Sequence, residues 1–136
     1  MASTNKTANL HLNQWEASDP VIRQDFNADN AALDAAVSAK ARIVTGTYTG
    51  DGSTSRTISL GGRPKAVLLM TREGFMGTTS YGPYYYGGLA LDGSSCQRDG
   101  LNILSVSDAG FTVYYRSSTK INSNESNTTF HYLAVF

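Results

Sequence analysis

Apolar residues recur along this chain at two different periods, and the change falls near residue 42. Between Asp19 and Ala41, Ile22, Phe26, Leu33 and Val37 follow one another at steps of four, seven and four, which keeps them near one face of a helix. Asp29 and Asn30 occupy the turn where that stripe would continue. The stretch is rich in alanine, has no glycine, and carries its one proline at the start. Asp19 suits the N-cap and Pro20 the first helical position, where a missing amide costs nothing. The pattern therefore predicts a helix from Pro20 to Ala39, about 30 Å long. So thin an apolar stripe does not hold a helix alone. It either packs on the rest of its own chain or self-associates as a coiled coil, with Ile22, Phe26, Leu33 and Ala36 in core positions and Asn30 fixing register or chain number. Because the segment precedes the β part instead of interrupting it, the multimeric stalk is the favoured expectation.

From Ile43 onward the pattern alternates and all thirteen glycines appear. Strands are predicted at Ile43 to Thr49 and Thr54 to Leu60, joined as a hairpin through Gly50-Asp51-Gly52-Ser53. Ala66 to Met70 is apolar throughout and reads as a central strand buried on both faces. Further strands are expected at Gly88 to Leu91, Asn102 to Val106, Phe111 to Arg116 and Thr129 to Phe136, with a turn at Asp108-Ala109-Gly110. Tyr132 to Phe136 is too apolar for a free tail and belongs inside a sheet. Seven short strands with glycine-rich turns favour an antiparallel β-sandwich, a small barrel or jelly roll being the alternative. The expected architecture is mainly β with an N-terminal α-helix. Residues 1–42 form an extension and helix for oligomerisation or attachment, and residues 43–136 a β domain.

Composition narrows the function. Eleven basic and eleven acidic residues give zero formal charge, and the cations are scattered, so nucleic-acid binding is not expected. The longest apolar run, Ala66 to Met70, is far short of the ~20 residues of a membrane span, and no signal peptide is expected either. One cysteine, Cys96, leaves no intrachain disulfide and no cysteine-based metal site. Asn5, Asn124 and Asn127 open matches to the glycosylation pattern, which a chain so rich in Asn, Ser and Thr produces by chance.

Enzymatic chemistry finds little to work with. His11 and His131 are the only histidines, and His131, between Phe130 and Tyr132 in a strand, reads as structural. Asp92-Gly93-Ser94-Ser95-Cys96 has the residues of a turn. Asp92, Asp99, Asp108 and Glu73 show neither the pairing of a glycosidase nor the alternation of a calcium loop. No catalytic residue, metal or cofactor is expected.

The segment from Asn9 to Asn30, with Asn13-Gln14-Trp15, Asp19-Pro20-Val21 and Asp25-Phe26-Asn27, resembles the opening of tail-fibre proteins of bacteriophages and prophages of Gram-positive gut bacteria. The β part is similar to C-terminal tip domains of such fibres, in Thr47-Tyr48-Thr49-Gly50-Asp51-Gly52, Arg63-Pro64-Lys65-Ala66-Val67, Gly110-Phe111-Thr112-Val113 and His131-Tyr132-Leu133-Ala134. It departs from them at Gly62, where an aromatic is expected. The resemblance spans nearly the whole chain. It implies a homotrimer on a coiled-coil stalk, in the virion and made in the host cytoplasm. Such a tip attaches to other tail proteins and binds a bacterial surface polysaccharide or protein receptor. A purely structural tail or baseplate protein, and a bacterial adhesin or injection-particle fibre, are the competing readings.

Receptor contact is most expected in Thr71 to Tyr86, a loop of about fifteen residues where 4–6 is usual. It holds Phe75, Tyr81, Tyr84, Tyr85 and Tyr86. Tyrosine offers a flat apolar face and a hydroxyl at small entropic cost, which suits sugar stacking, protein docking or a subunit contact. Arg72, Arg98 and Arg116 could hydrogen-bond an acidic sugar or sit in ion pairs. The Ser- and Asn-rich stretch Ser117 to Asn127 is the next candidate. Ile22, Phe26, Asn30, Leu33 and Val37 are the expected oligomerisation residues.

Overall fold

The computed structural model describes residues 3–136, and of Thr78 and Thr79 the backbone alone; Met1 and Ala2 of the N-terminal extension lie outside the described residues. The chain divides into two units, Met1–Ala41 and Arg42–Phe136.

In the first unit, β1 (Asn5–Lys6) and β2 (Asn13–Gln14) pair antiparallel ahead of α1 (Arg23–Ser38). The helix begins three residues later than its sequence signals suggest, because Asp19 is otherwise engaged. Its carboxylate accepts the Thr4 amide at 3.2 Å, the Thr4 hydroxyl at 2.8 Å and the Glu16 amide at 3.0 Å. These bonds, led by that from Glu16, hold the Asp19 carboxyl below its ordinary range. Ile22 takes the N-cap position with extended backbone and no side-chain cap bond. Asp29 accepts both the backbone amide and the side-chain amide of Asn13, and the Trp15 ring stacks on Phe26 at 5.8 Å. The half-buried helix face is thus Asp25, Asp29, Ala32 and Ala36, and no helical residue is fully buried.

The second unit contains β3 (Ile43–Thr49), β4 (Ser55–Ser59), β5 (Ala66–Thr71), β6 (Gly77–Thr79), β7 (Gly82–Tyr85), β8 (Gly88–Leu91), β9 (Cys96–Arg98), β10 (Leu101–Ser107), β11 (Gly110–Arg116), β12 (Ile121–Asn122) and β13 (Thr129–Val135). A four-stranded antiparallel sheet runs β3-β13-β5-β8. A seven-stranded sheet runs β6-β7-β12-β11-β10-β9, with β4 on β11. On one edge of β11, Gly110 to Tyr114 pair with β4 while Tyr115 and Arg116 pair with β12. Every pairing is antiparallel except the contact of Ile121 with Tyr85.

Tyr48, Val67, Leu69, Ala90, Phe130 and Ala134 from the first sheet share a core with Leu104, Phe111 and Val113 from the second, a sandwich-like arrangement. Tyr48 stacks on Phe130 at 5.0 Å, and Phe111 meets the Tyr132 ring edge-on at 5.1 Å. The Tyr48 hydroxyl donates to the Ser123 carbonyl at 2.5 Å, and burial raises its pKa. The C-terminal strand β13 lies inside the first sheet, between β3 and β5.

Three expectations need correction. β3 and β4 are not a hairpin, since β3 pairs with β13 and β4 with β11, so residues 50–53 cross from one sheet to the other. β5 is buried on one face only: Val67, Leu69 and Thr71 are buried, while Ala66, Leu68 and Met70 are half-buried. Thr71 to Tyr86 is not a bare loop, because β6 and β7 form a hairpin within it.

The crossover is held from the second sheet's side by fully buried Asn124. Its Nδ2 donates to Asp51 Oδ1 at 2.6 Å and to the Ser53 carbonyl at 3.0 Å, and its own carbonyl accepts the Gly52 amide at 2.9 Å. The Ser53 hydroxyl and amide, with help from Asn124 and Arg56, pull the Asp51 carboxyl down to about 2. A carboxyl depressed on folding adds stability above its unfolded value near ~4 and loses it as pH falls toward the folded one. The stability gap between the protein and Asp51→Asn should therefore narrow as pH drops from about 4 to about 2. Urea unfolding at stepped pH checks this, and a gap independent of pH would contradict it.

Candidate functional site

The predicted binding segment is shaped by a tight turn followed by a hairpin. After β5, the Thr71 amide donates to the Phe75 carbonyl at 2.9 Å and the Phe75 amide to Thr71 Oγ1 at 3.0 Å. Gly74 closes this turn at φ +88°, a backbone angle that favours glycine. The hairpin turns at Ser80-Tyr81, and its far end is anchored where the Tyr86 and Gly87 amides both donate to the Met76 carbonyl, at 2.9 and 3.0 Å. The Tyr85 amide donates to the Lys120 carbonyl at 2.9 Å, which ties β7 to the start of its neighbour β12 in the second sheet.

Strand alternation then separates the tyrosines. Tyr84 and Tyr86 stack at 6.4 Å on one side of β7. They line a groove of about 600 Å³ with Phe75, Ser80, Tyr81 and Glu125. Tyr81 stands at the hairpin tip, 93% exposed. Glu125 closes the groove with a carboxylate fixed in place, one oxygen accepting Asn122 Nδ2 at 2.8 Å and the other the Thr128 hydroxyl at 3.0 Å. Burial, then the charge of Glu125, raises the pKa of the Tyr86 phenol, so it stays protonated at neutral pH. The groove thus offers aromatic faces, phenol donors and one anchored anion.

Tyr85 does not line this groove. It lies under Arg98, whose guanidinium is 4.6 Å from the ring centre, and Arg98 also donates to Asp99 at 3.1 Å and to the Thr119 carbonyl at 3.2 Å. Arg98 lines a second hollow of about 280 Å³ with Pro83, Leu101, Thr119 and Lys120. Arg72 is exposed beside Glu73 at 3.8 Å. Arg116 lies over Tyr114 at 5.1 Å and donates to the Asn102 carbonyl at 3.4 Å. Tyr81, Tyr84 and Tyr86 are therefore brought together, while Tyr85, Arg72, Arg98 and Arg116 are placed elsewhere.

The middle of the Ser- and Asn-rich stretch is an internal brace, while its ends reach the hollows, Ser118, Thr119 and Lys120 lining the second and Glu125 the groove. Asn122, Ser123 and Asn124 are buried, and Ser123 Oγ accepts the Tyr114 amide at 2.8 Å. Glu125 falls inside this candidate stretch, though the sequence does not single it out. Its only signal is the three-residue spacing of Asn122, Glu125 and Thr128, which becomes meaningful once the chain turns there.

The helical candidates share one exposed stripe: Ile22 and Leu33 are each 41% exposed, Phe26 47% and Val37 65%, with Asn30 exposed among them. The outer face of the four-stranded sheet is apolar too, presenting Ile43, Leu89, Leu91 and Leu133 to solvent. Asp92 and Asp108 both engage Arg63, at 2.6 and 2.7 Å. Cys96 is half-buried, and burial raises its thiol pKa. Among the described residues no group of three His, Cys, Asp or Glu side chains is placed to hold a metal ion, and no helix is long and apolar enough to cross a membrane.

Comparison with protein-family models, with curated proteins and with solved structures finds no match for this chain.

Proposed function

We propose that this chain is a trimeric phage tail-fibre tip whose β unit binds a bacterial surface glycan, in the groove beside β7. The observation that carries the reading is the lining of that groove: Phe75, Tyr81, Tyr84 and Tyr86 around an anchored Glu125. Pyranose rings have apolar faces edged by hydroxyls. Aromatic rings stack on the faces, and phenol and carboxylate oxygens bond the edges. The resemblance of both halves of the chain to fibre proteins argues for this chemistry at a virion's tip. The exposed stripe of α1 and the apolar outer face of the four-stranded sheet are surfaces that copies of the chain would cover on assembling, or that other tail proteins would meet.

The test is adsorption of fluorescently labelled protein to a panel of Gram-positive gut bacteria. Tyr84→Ala combined with Tyr86→Ala should lower adsorption to the responsive strains about tenfold or more, the loss of two stacking contacts, with circular dichroism and solution mass unchanged. Tyr85→Ala, on the opposite face of β7, should leave it nearly intact. Unchanged adsorption of the double variant removes the groove from the reading. No adsorption by the unsubstituted protein to any strain leaves a structural tail protein in its place.

A further inference from the structure

The carboxylate in the groove has an unusual setting. Each Glu125 oxygen accepts one bond from a neutral donor, Asn122 Nδ2 or the Thr128 hydroxyl. A carboxylate has about four lone-pair sites, so roughly half of its accepting capacity stays open. Among the described residues Glu125 is in no ion pair, although five other ion pairs form in the chain. Arg98 and Lys120 line the second hollow, and neither lines this groove. Asn122, which holds the carboxylate, is itself buried, and its amide oxygen has no donor among the described residues.

Around this unpaired anion stand aromatic faces. The Phe75, Tyr81, Tyr84 and Tyr86 rings line the same space, and the ring face carries the negative end of the aromatic quadrupole. The Lys120 ammonium lies 5.2 Å from the centre of the Tyr84 ring, whereas among the described residues no cation lies over Phe75, Tyr81 or Tyr86, which leaves those rings to a ligand. An aromatic enclosure with one carboxylate attracts organic cations, since the ring faces draw the charge in and the carboxylate balances it. Sugar hydroxyls alone would be served equally well by a neutral amide at this position.

We infer that the groove selects an ammonium-bearing ligand: a primary or quaternary amine on the surface polymer, its cationic head among Phe75, Tyr81, Tyr84 and Tyr86 and its charge against Glu125. This rests on the groove being the receptor contact proposed above, and names the chemistry it recognises there.

The test titrates the full chain with choline chloride and with 3,3-dimethyl-1-butanol, its neutral isostere, following the tyrosine ring signals by NMR. Choline should bind about tenfold or more tighter than the alcohol, and Glu125→Gln should remove that preference. The glutamine oxygen can still accept from Asn122 Nδ2, and its NH2 can donate to the Thr128 hydroxyl in place of accepting from it, so the loss would report charge and not shape. Should Glu125→Gln fail to fold, the preference of the unsubstituted protein for the cation over its isostere decides alone. Equal binding of the two probes, binding of neither, or an unchanged preference in Glu125→Gln overturns the inference. If cell adsorption still depends on Tyr84 and Tyr86, the receptor reading survives that failure. If the cation preference holds while adsorption ignores those tyrosines, the receptor reading falls and the ammonium site stands.

Discussion

Replacing Gly87 with alanine should lower the stability of the β unit by about 3 kcal/mol or more, or leave it unfolded. Gly87 is buried between β7 and β8, and a Cβ there would overlap the backbone carbonyl oxygen of Leu69. That carbonyl cannot give way. Leu69 is fully buried in the central strand β5, paired with Gly88 on one side and Tyr132 on the other. Gly87 cannot give way either, because its amide bonds the Met76 carbonyl and closes the base of the β6–β7 hairpin. Relief therefore requires breaking either the first sheet or the anchor of the groove. Gly61→Ala is the control: nothing lies within 4 Å of a Cβ there, and only its φ of +77° opposes the change. It should cost about 1–2 kcal/mol. Denaturant unfolding of both variants decides the matter, and a Gly87→Ala protein within about 1 kcal/mol of the parent would show that the approach relaxes freely.

Gly87 also marks where sequence reasoning stops. The strands β3, β4, β10, β11 and β13 were legible because a strand pattern over five or more residues, closed by glycine or Asp-Ala-Gly turns, leaves few other solutions, and β5 because its apolar run is unbroken. The short strands β6, β7, β9 and β12 were not, since two to four residues carry no period and their pairing is decided by tertiary contacts. The supposed β3–β4 hairpin failed for a related reason. Gly50-Asp51-Gly52-Ser53 has turn chemistry, but whether it returns the chain or hands it to the other sheet depends on Asn124, over seventy residues away. Asp19 failed as an N-cap because Thr4 and Glu16 compete for the same carboxylate. For the site, a tyrosine-rich segment was visible, but its division into groove-lining Tyr84 and Tyr86 and Tyr85 under Arg98 needed the β7 register. Glu125 falls inside the second candidate stretch, Ser117 to Asn127, but is not singled out, because the three-residue spacing to Asn122 and Thr128 gains meaning only once the chain turns there.

The exposed stripe of α1 leads to the other large effect. Leu33 and Val37 are the two stripe positions best suited to a test, because Phe26 is already stacked on Trp15 while Val37 is 65% exposed and Leu33 41%. If the stripe is the seam of a trimer, Leu33→Asp with Val37→Asp brings six carboxylates together at one apolar axis. Neither packing nor counter-charge would offset them there. The unsubstituted protein should then run near three times 14.6 kDa by light scattering, and the double variant at 14.6 kDa with an unchanged β-sheet spectrum. Little is lost within the chain itself, since Leu33 and Val37 are exposed and the half-buried helix face, Asp25, Asp29, Ala32 and Ala36, lies about a quarter turn away. A monomeric unsubstituted protein ends the trimer reading. A double variant that remains trimeric moves the assembly surface from α1 to the apolar outer face of the four-stranded sheet. Leu89→Asp with Leu133→Asp, on strands β8 and β13 of that face, should then separate the subunits instead.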